Sequence, residues 1–220
     1  MGIPSDILEE WQTKLKSCAG GKSSTAPLLT ICGPSGSGKT AIVRTLLQQF
    51  NGYVEAAEEN PYLLSLLEGK SNFNAFANQQ WFLNRIREFV HNASSRSPLI
   101  LDQDPAAIVM VYSRIFREDG LIDNAGSRTL LTDLLHLEEM MSRWRTPREI
   151  FFLDAPAKVL RDRVLLRAGN VATPPLKWFT RIRHCFRELS AQLSNVTFVS
   201  TDGLTPQQIS NQVAEVLGAK

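Results

Sequence analysis

Short apolar runs alternate with amphipathic stretches along most of the chain. Four runs have the length and composition of strands buried on both faces of a sheet; they cover residues 28–32, 98–102, 149–154 and 196–199. Residues 53–54 predict a fifth, shorter strand after the turn Asn51-Gly52. Strands that alternate with helical stretches indicate an α/β fold with a mainly parallel sheet of about five strands.

Helical periodicity is clearest in two of the stretches between these runs. Residues 73–93 carry a stripe at steps of three and four that consists of Phe76, Gln79, Leu83, Ile86 and Val90. A second stripe runs from Leu130 to Trp144 and indicates packing against the core. Residues 41–50 predict another helix, and a last helix should begin near Thr205-Pro206, where proline suits the first turn.

The first 26 residues differ from the rest of the chain. Residues 5–17 predict a short amphipathic helix, and residues 20–25 have the composition of a linker. We therefore divide the chain into an N-terminal helix with its linker, residues 1–26, and one main domain, residues 27–220. Helices on both faces of the sheet would give that domain three layers.

Composition narrows the classes of protein further. The chain has 220 residues, 43% of them hydrophobic, which suits one folded domain and excludes disorder over most of its length. A net charge of +2 leaves little excess charge for nucleic-acid phosphates, so we expect no nucleic-acid partner. No apolar run reaches the roughly 18 residues of a membrane span. Cysteine occurs only at 18, 32 and 185, which is no disulfide framework, and we expect a cytoplasmic protein.

The strongest chemical signal follows the first strand. It is the sequence Gly33-Pro34-Ser35-Gly36-Ser37-Gly38-Lys39-Thr40, which fits G-x-x-x-x-G-K-[ST] between a strand and a helix. Such a loop turns its backbone N–H groups toward phosphate oxygens, and the helix N-terminus adds its dipole. Lys39 would contact the β- and γ-phosphates, and the Thr40 hydroxyl would bind Mg²⁺. The sequence therefore predicts binding of a nucleoside triphosphate, ATP, with Mg²⁺.

The phosphate loop does not by itself name the reaction. The N-K-x-D sequence of GTPases and the L-S-G-G-Q sequence of transporter ATPases are absent. Phosphoryl transfer also needs a carboxylate beside the acceptor hydroxyl, and ligands of open α/β sheets bind at the carboxyl ends of the strands. Glu55 and Asp102 stand at such ends, although Glu55 could be a solvated loop acid and Asp102 a cap or ion-pair partner. We interpret Asp104 and Asp154 as helix caps.

Two further features suit a small acceptor molecule. Gln79 lies inside an apolar stripe, where an unpaired amide would cost about 1–3 kcal/mol, so it needs either a nucleobase edge or a nearby backbone group. Arg161, Arg163 and Arg167 precede a Gly- and Pro-containing segment, which is typical of a lid that closes on phosphates but also of a solvated basic face.

These residues occur in an order that resembles the deoxynucleoside kinases over about residues 28–200. The resemblance rests on the phosphate loop, on Glu55 before Asn60-Pro61, on Phe76-x-x-Gln79-x-x-Phe82-Leu83, and on the acid at the third strand end. It implies a P-loop kinase fold, Glu55 as the base for a sugar hydroxyl, and Gln79 with Phe76 at the nucleobase. It further implies Asp102 beside the metal and the lid arginines at the phosphates.

The chain departs from that family at three places. In the lid, Ala168-Gly169-Asn170 follow the arginines where the family has an acid pair. Asp102-Gln103-Asp104 stands where the family has an acid followed by Arg-Ser, and no tyrosine occurs near Leu66-Leu67, where the family holds the sugar. We therefore expect transfer of the ATP γ-phosphoryl group to a nucleoside-like acceptor, with Glu55, Asp102, Lys39, Arg163 and Arg167 in the chemistry. A nucleotide or other small-metabolite kinase, or an NTP-binding regulator without transfer, stays open. The resemblance also implies that the long helices can pair two copies into a homodimer.

Overall fold

The computed structural model describes residues 5–19, 26–63, 73–168 and 173–216. A single sheet contains five strands within these residues. They are β1 (Pro27–Cys32), β2 (Asn51–Tyr53), β3 (Leu99–Asp102), β4 (Arg145–Asp154) and β5 (Val196–Ser200).

Helices connect these strands. They are α1 (Ser5–Ala19), α2 (Lys39–Leu46), α3 (Ala75–Asn92), α4 (Pro105–Ala107), α5 (Arg114–Glu118), α6 (Asn124–Met141), α7 (Ala157–Ala168), α8 (Leu176–Ser190) and α9 (Pro206–Val216). A 3₁₀ turn covers Ala57–Glu59, and a π-helical turn covers Ile108–Ser113 between α4 and α5. No described helix is long and apolar enough to cross a membrane.

The sheet is parallel throughout, with the strand order β2-β3-β1-β4-β5. In the centre, Thr30 of β1 lies opposite Leu101 of β3 and Ile150 of β4. All five strands therefore end at the same edge of the sheet, and the segments after β1, β2 and β3 emerge next to one another.

Apolar side chains alternate between the two faces of the central strands. Leu28 and Cys32 face the larger core, which is formed with α1, α3, α6, α8 and the π-helical turn. Leu29 and Ile31 face the smaller core, which is formed with α2 and α9. The sheet is thus buried between two helical layers, and the predicted three-layer α/β fold with about five parallel strands is confirmed.

The N-terminal helix packs on the larger core rather than standing apart from it. Trp11 of α1 is fully buried, and its indole Nε1 donates a hydrogen bond of 3.1 Å to Glu138 Oε1 of α6. Lys14 forms an ion pair of 2.8 Å with Glu139, the next residue of α6. Arg128 of α6 also pairs with Asp6 of α1 at 3.2 Å, so helix α1 is attached to α6 by one buried and two exposed polar contacts.

Candidate active site

The loop from Gly33 to Thr40 connects the end of β1 to the start of α2. A Cβ atom on Gly33 would lie 2.3 Å from the carbonyl oxygen of Leu153, and one on Gly36 would lie 2.4 Å from that of Leu160. Both glycines also have a positive φ, at 150° and 85°. Any other residue would force the loop away from β4 and α7, so glycine is required at both positions.

The ammonium group of Lys39 points toward the backbone of this loop. Lys39 Nζ donates to the carbonyl oxygens of Gly33, at 2.9 Å, and Pro34, at 3.4 Å. The Ser37 hydroxyl is buried, and among the described residues it has no hydrogen-bond partner. The lysine ammonium therefore lies over the loop, where a bound phosphate would accept its protons in place of the carbonyl groups.

Asp102 joins three segments of the chain at the edge of the sheet. Its Oδ2 accepts a hydrogen bond of 2.7 Å from the Thr40 hydroxyl and one of 3.3 Å from the backbone N–H of Glu55. Its Oδ1 is buried without a hydrogen-bond partner among the described residues. The two acids predicted from separate strand ends thus lie together beside the phosphate loop.

Burial and mutual repulsion perturb this pair of acids. The pKa of Glu55 is raised to about 7, first because its carboxyl is shielded from water and second because Asp102 lies nearby. Lys39 and Arg167 act in the opposite direction. Burial also raises the pKa of Asp102, while Lys39 and the Thr40 hydroxyl oppose the rise. Glu55 can therefore exchange a proton near neutral pH, as a general base must.

The donor set at this edge fits Mg²⁺. No group of three or more His, Cys, Asp or Glu side chains that could hold a metal occurs within the described part of the chain. Mg²⁺ commonly takes only one or two protein ligands and completes its shell with phosphate oxygens and water. The free Oδ1 of Asp102 and the adjacent Thr40 hydroxyl offer such a partial set.

The predicted lid arginines differ in their surroundings. Arg163 donates from Nη1 to the Gly36 carbonyl oxygen at 3.4 Å and to the Thr201 hydroxyl at 2.8 Å, and from Nη2 to the Thr201 carbonyl oxygen at 2.7 Å. Arg163 is therefore tied to the phosphate loop and to the end of β5. Arg167, one turn further along α7, is exposed and acts on Glu55 through its charge. Residues 169 and 170 of the predicted lid lie outside the described residues.

Helix α3 holds the two predicted nucleobase-binding residues. Gln79 is only 3% exposed, and no described hydrogen bond involves its side chain. Phe76 is half-buried, with its ring against Gly126 at the start of α6. No described hydrogen bond connects Gln79 to the pair of acids, so its place in a common site stays a prediction.

Comparison with solved structures agrees with this architecture. Structures of deoxyadenosine kinase from M. mycoides with bound dCTP, and with the products dCMP and a flexible dCDP, superpose with a TM-score of 0.67. They cover 88% of this chain and 100% of theirs, at 15% identity. The same kinase with bound dATP gives a TM-score of 0.68 at 15% identity, with 87% of this chain and 99% of that chain covered. The chain has a deoxynucleoside kinase-like fold. No protein-family model matches the sequence, and no curated protein matches it.

Within this deoxynucleoside kinase-like fold, the sequence did not indicate the position of Tyr112. Its hydroxyl oxygen lies 3.5 Å from that of Ser35 in the phosphate loop. Burial raises the pKa of Tyr112, and Glu55 contributes to the rise. Tyr112 lies on the π-helical turn, a local widening that often marks functional sites. The site therefore has a tyrosine, but on a different segment from residues 66 and 67, which lie outside the described residues.

The third strand end also differs from a simple helix cap. Asp104 caps the following helix as predicted, because its carboxylate accepts a hydrogen bond from the backbone N–H of Ala106. It is also paired with Arg148 of β4, whose Nε and Nη2 donate to its two oxygens at 2.7 and 2.9 Å. Between the two acids, Gln103 has a φ of 87°, a strained value for a residue with a Cβ.

The prediction that Asp154 caps a helix was wrong. Its carboxylate accepts the N–H of Ala155, ahead of α7, and is paired with two arginines of α8. Arg183 donates at 2.7 and 2.9 Å, and Arg187 at 2.9 Å. The acid thus connects the end of β4 to α8.

Proposed function

We propose that the protein is an ATP- and Mg²⁺-dependent kinase that transfers the γ-phosphoryl group to a hydroxyl of a deoxynucleoside or a similar small molecule. The observation that supports this most is Asp102, which bonds to Thr40 of the phosphate loop and to the backbone of Glu55. A carboxylate with a pKa of about 7 therefore lies beside a loop suited to a triphosphate. The neighbours with a similar fold are kinases whose structures hold nucleotides.

Each residue has a defined role in this proposal. Backbone N–H groups of residues 33–40 hold the triphosphate, and Lys39 neutralises its β- and γ-phosphates. Thr40 and Asp102 would hold Mg²⁺, which neutralises charge on the phosphates when bound. Arg163 acts from its fixed place beside Gly36, and Arg167 acts from the end of α7.

Glu55 carries the proton transfer. Its carboxylate accepts the proton of the acceptor hydroxyl as the hydroxyl oxygen bonds to the γ-phosphorus. The bond between that phosphorus and the bridging oxygen of ATP breaks, and ADP leaves with the electron pair. Gln79 and Phe76 would contact the nucleobase of the acceptor, because the buried amide of Gln79 carries both donors and an acceptor and no hydrogen bond within the described residues involves it.

A nucleoside panel tests the proposal directly. Purified protein is incubated with ATP, Mg²⁺ and each deoxynucleoside or ribonucleoside, and products are resolved by chromatography. Formation of a monophosphate from at least one nucleoside supports the assignment, and Glu55→Gln should abolish it while ATP binding persists. Phosphorylation of a nucleotide or another metabolite, and of no nucleoside, would mean that the acceptor is not a nucleoside. ATP binding without any transfer would favour a regulator, an alternative to which Gln103 in place of arginine gives some weight.

A further inference from the structure

A cavity of about 370 Å³ lies beneath helix α1, near the start of β1 rather than its phosphate-loop end. Its volume falls within the range of small-molecule sites, about 300–1,000 Å³. Much of its wall is apolar, and the apolar lining includes Leu15, Met141, Ile150 and Leu193. The cavity is therefore separate from the candidate active site and large enough for a compact organic molecule.

The buried charged residues of the lining are Glu138 and Arg148, which are 3% and 8% exposed. Arg148 Nη1 and Nη2 donate to the two oxygens of Glu138 at 2.7 and 3.0 Å. Nε and Nη2 of the same guanidinium donate to Asp104. One buried guanidinium is thus shared by two buried carboxylates.

The remaining partners of these carboxylates are neutral. Glu138 also accepts from the Trp11 indole, and Asp104 from the Thr30 hydroxyl and a backbone N–H. With both carboxylates ionised, the two carboxylates and the guanidinium together have a net charge of −1. Lys16 also lines the cavity, but its side chain is exposed, so water screens its ammonium.

Glu138 lines the cavity, and one of its two carboxylate oxygens has fewer hydrogen-bond partners than the other. Glu138 Oε1 accepts from both Trp11 and Arg148, whereas Oε2 accepts only from Arg148. A carboxylate oxygen can accept two hydrogen bonds, so Oε2 has room for one more donor. Burial raises the pKa of Glu138, Arg148 opposes the rise and Asp104 adds to it, so the ionised carboxylate is unfavourable here and a cation paired with it would stabilise it.

We propose that this cavity is a ligand site for a compact organic cation, whose ammonium or amidinium group pairs with Glu138 and whose apolar part fills the space lined by Leu15, Met141 and Leu193. An anion would be repelled by the excess carboxylate, and a neutral molecule of the same shape would gain only the apolar contacts. The site is independent of the kinase reaction and stands whether or not the protein transfers phosphate.

The test compares two probes of the same shape, 2-phenylethylamine and 2-phenylethanol, by calorimetry at pH 8. The amine should bind the natural protein at least tenfold more tightly than the alcohol. Glu138→Gln should remove this preference. Glu139→Gln is the matched control, since Glu139 is the next residue but is exposed and paired with Lys14, and it should keep the preference.

Two additional variants separate this result from other causes. Leu193→Trp fills the cavity and retains its charges, so it should lower the affinity for both probes at least tenfold. Circular dichroism verifies that this variant and Glu138→Gln are folded. Glu55→Gln should leave amine binding unchanged, which excludes the acids of the candidate active site. Equal affinity for the two probes, equal amine affinity in Glu138→Gln, or no binding of either probe would overturn the proposal.

Discussion

The pH dependence of turnover is the sharpest prediction of the proposed mechanism. If Glu55 must be ionised to accept the acceptor proton, kcat/KM falls as its carboxylate becomes protonated. Burial and the neighbouring Asp102 raise the pKa of Glu55 from 4.5 to about 7. The acid limb of the profile should therefore lie near pH 7 instead of below pH 5.

The size of the effect follows from simple titration. With a pKa of about 7, about half of Glu55 is ionised at pH 7 and about a tenth at pH 6, so kcat/KM should fall about fivefold between them. Below pH 6, kcat/KM should fall about tenfold for each further pH unit. With the ordinary value of 4.5, the fall between pH 7 and pH 6 would be only about 3%.

A charge substitution on α7 tests the assignment of this limb to Glu55. Arg167 lowers the pKa of Glu55, so Arg167→Gln should move the limb upward, by a few tenths of a pH unit at low salt. Lys158→Gln removes an equal charge from the same helix but from an exposed residue paired with Asp162, and it should not move the limb.

The assay is steady-state phosphorylation of the best nucleoside from pH 5 to pH 9, with MgATP saturating in each buffer. Circular dichroism at each pH verifies that the protein stays folded. A profile that is flat down to pH 5.5, or a limb that Arg167→Gln shifts downward, would refute the role given to Glu55.

Three further predictions concern stability and metal binding. A pKa raised on folding means that Glu55 destabilises the fold as pH rises from 4.5 through about 7. Glu55→Gln should therefore raise the free energy of unfolding by up to about 2–3 kcal/mol at pH 8 and by little near pH 4.5, as measured by urea denaturation. Asp102→Asn should lower kcat by at least about 100-fold and raise the Mg²⁺ concentration needed for half-maximal rate. Arg148→Met leaves two buried carboxylates uncompensated and should lower the free energy of unfolding by about 3–5 kcal/mol.

Each of these predictions has an outcome that contradicts it. Equal gains in stability for Glu55→Gln at pH 4.5 and pH 8 would mean that removal of its charge is not the cause. An unchanged Mg²⁺ requirement in Asp102→Asn would remove Asp102 from the metal site. For Arg148→Met, the exposed Arg128 provides a matched control: Arg128→Met should change stability by less than about 0.5 kcal/mol, and an equally small change at Arg148 would contradict the prediction.

The strands were predictable because parallel strands buried on both faces are continuous apolar runs. The residues at which strands and helices begin and end were less predictable. Strand β4 begins at Arg145, four residues before the predicted start, because its pairing with β1 extends to Pro27 across an irregularity in register. Helix α2 begins at Lys39 and ends at Leu46, whereas the apolar pattern suggested residues 41–50. Backbone pairing and turn formation decided these ends, and neither depends on the apolar pattern alone.

The proximity of Glu55 and Asp102 was predictable for a topological reason. Glu55 follows β2 and Asp102 is the last residue of β3, and parallel strands end at one edge of the sheet. The contacts of Tyr112 and Arg148 were not predictable, because neither residue lies at a strand end or in a motif. Tyr112 reaches Ser35 across 77 residues, and Arg148 reaches Asp104 across 44. Only the tertiary fold brings such partners together, so local patterns carry no trace of them.

The position of Arg148 determines whether it can supply positive charge in the proposed phosphoryl transfer. The resemblance to deoxynucleoside kinases places an arginine where this chain has Gln103, and Arg148 brings a guanidinium to the same turn from β4. Four of the hydrogen bonds that Arg148 donates go to Asp104 and Glu138, and it is 92% buried, so it is not free to reach a phosphate. The cations that act on Glu55 are instead Lys39 and Arg167. Under the proposed mechanism, loss of Lys39 or Arg167 should lower kcat more than it changes KM, because charge on the transferred group grows in the transition state.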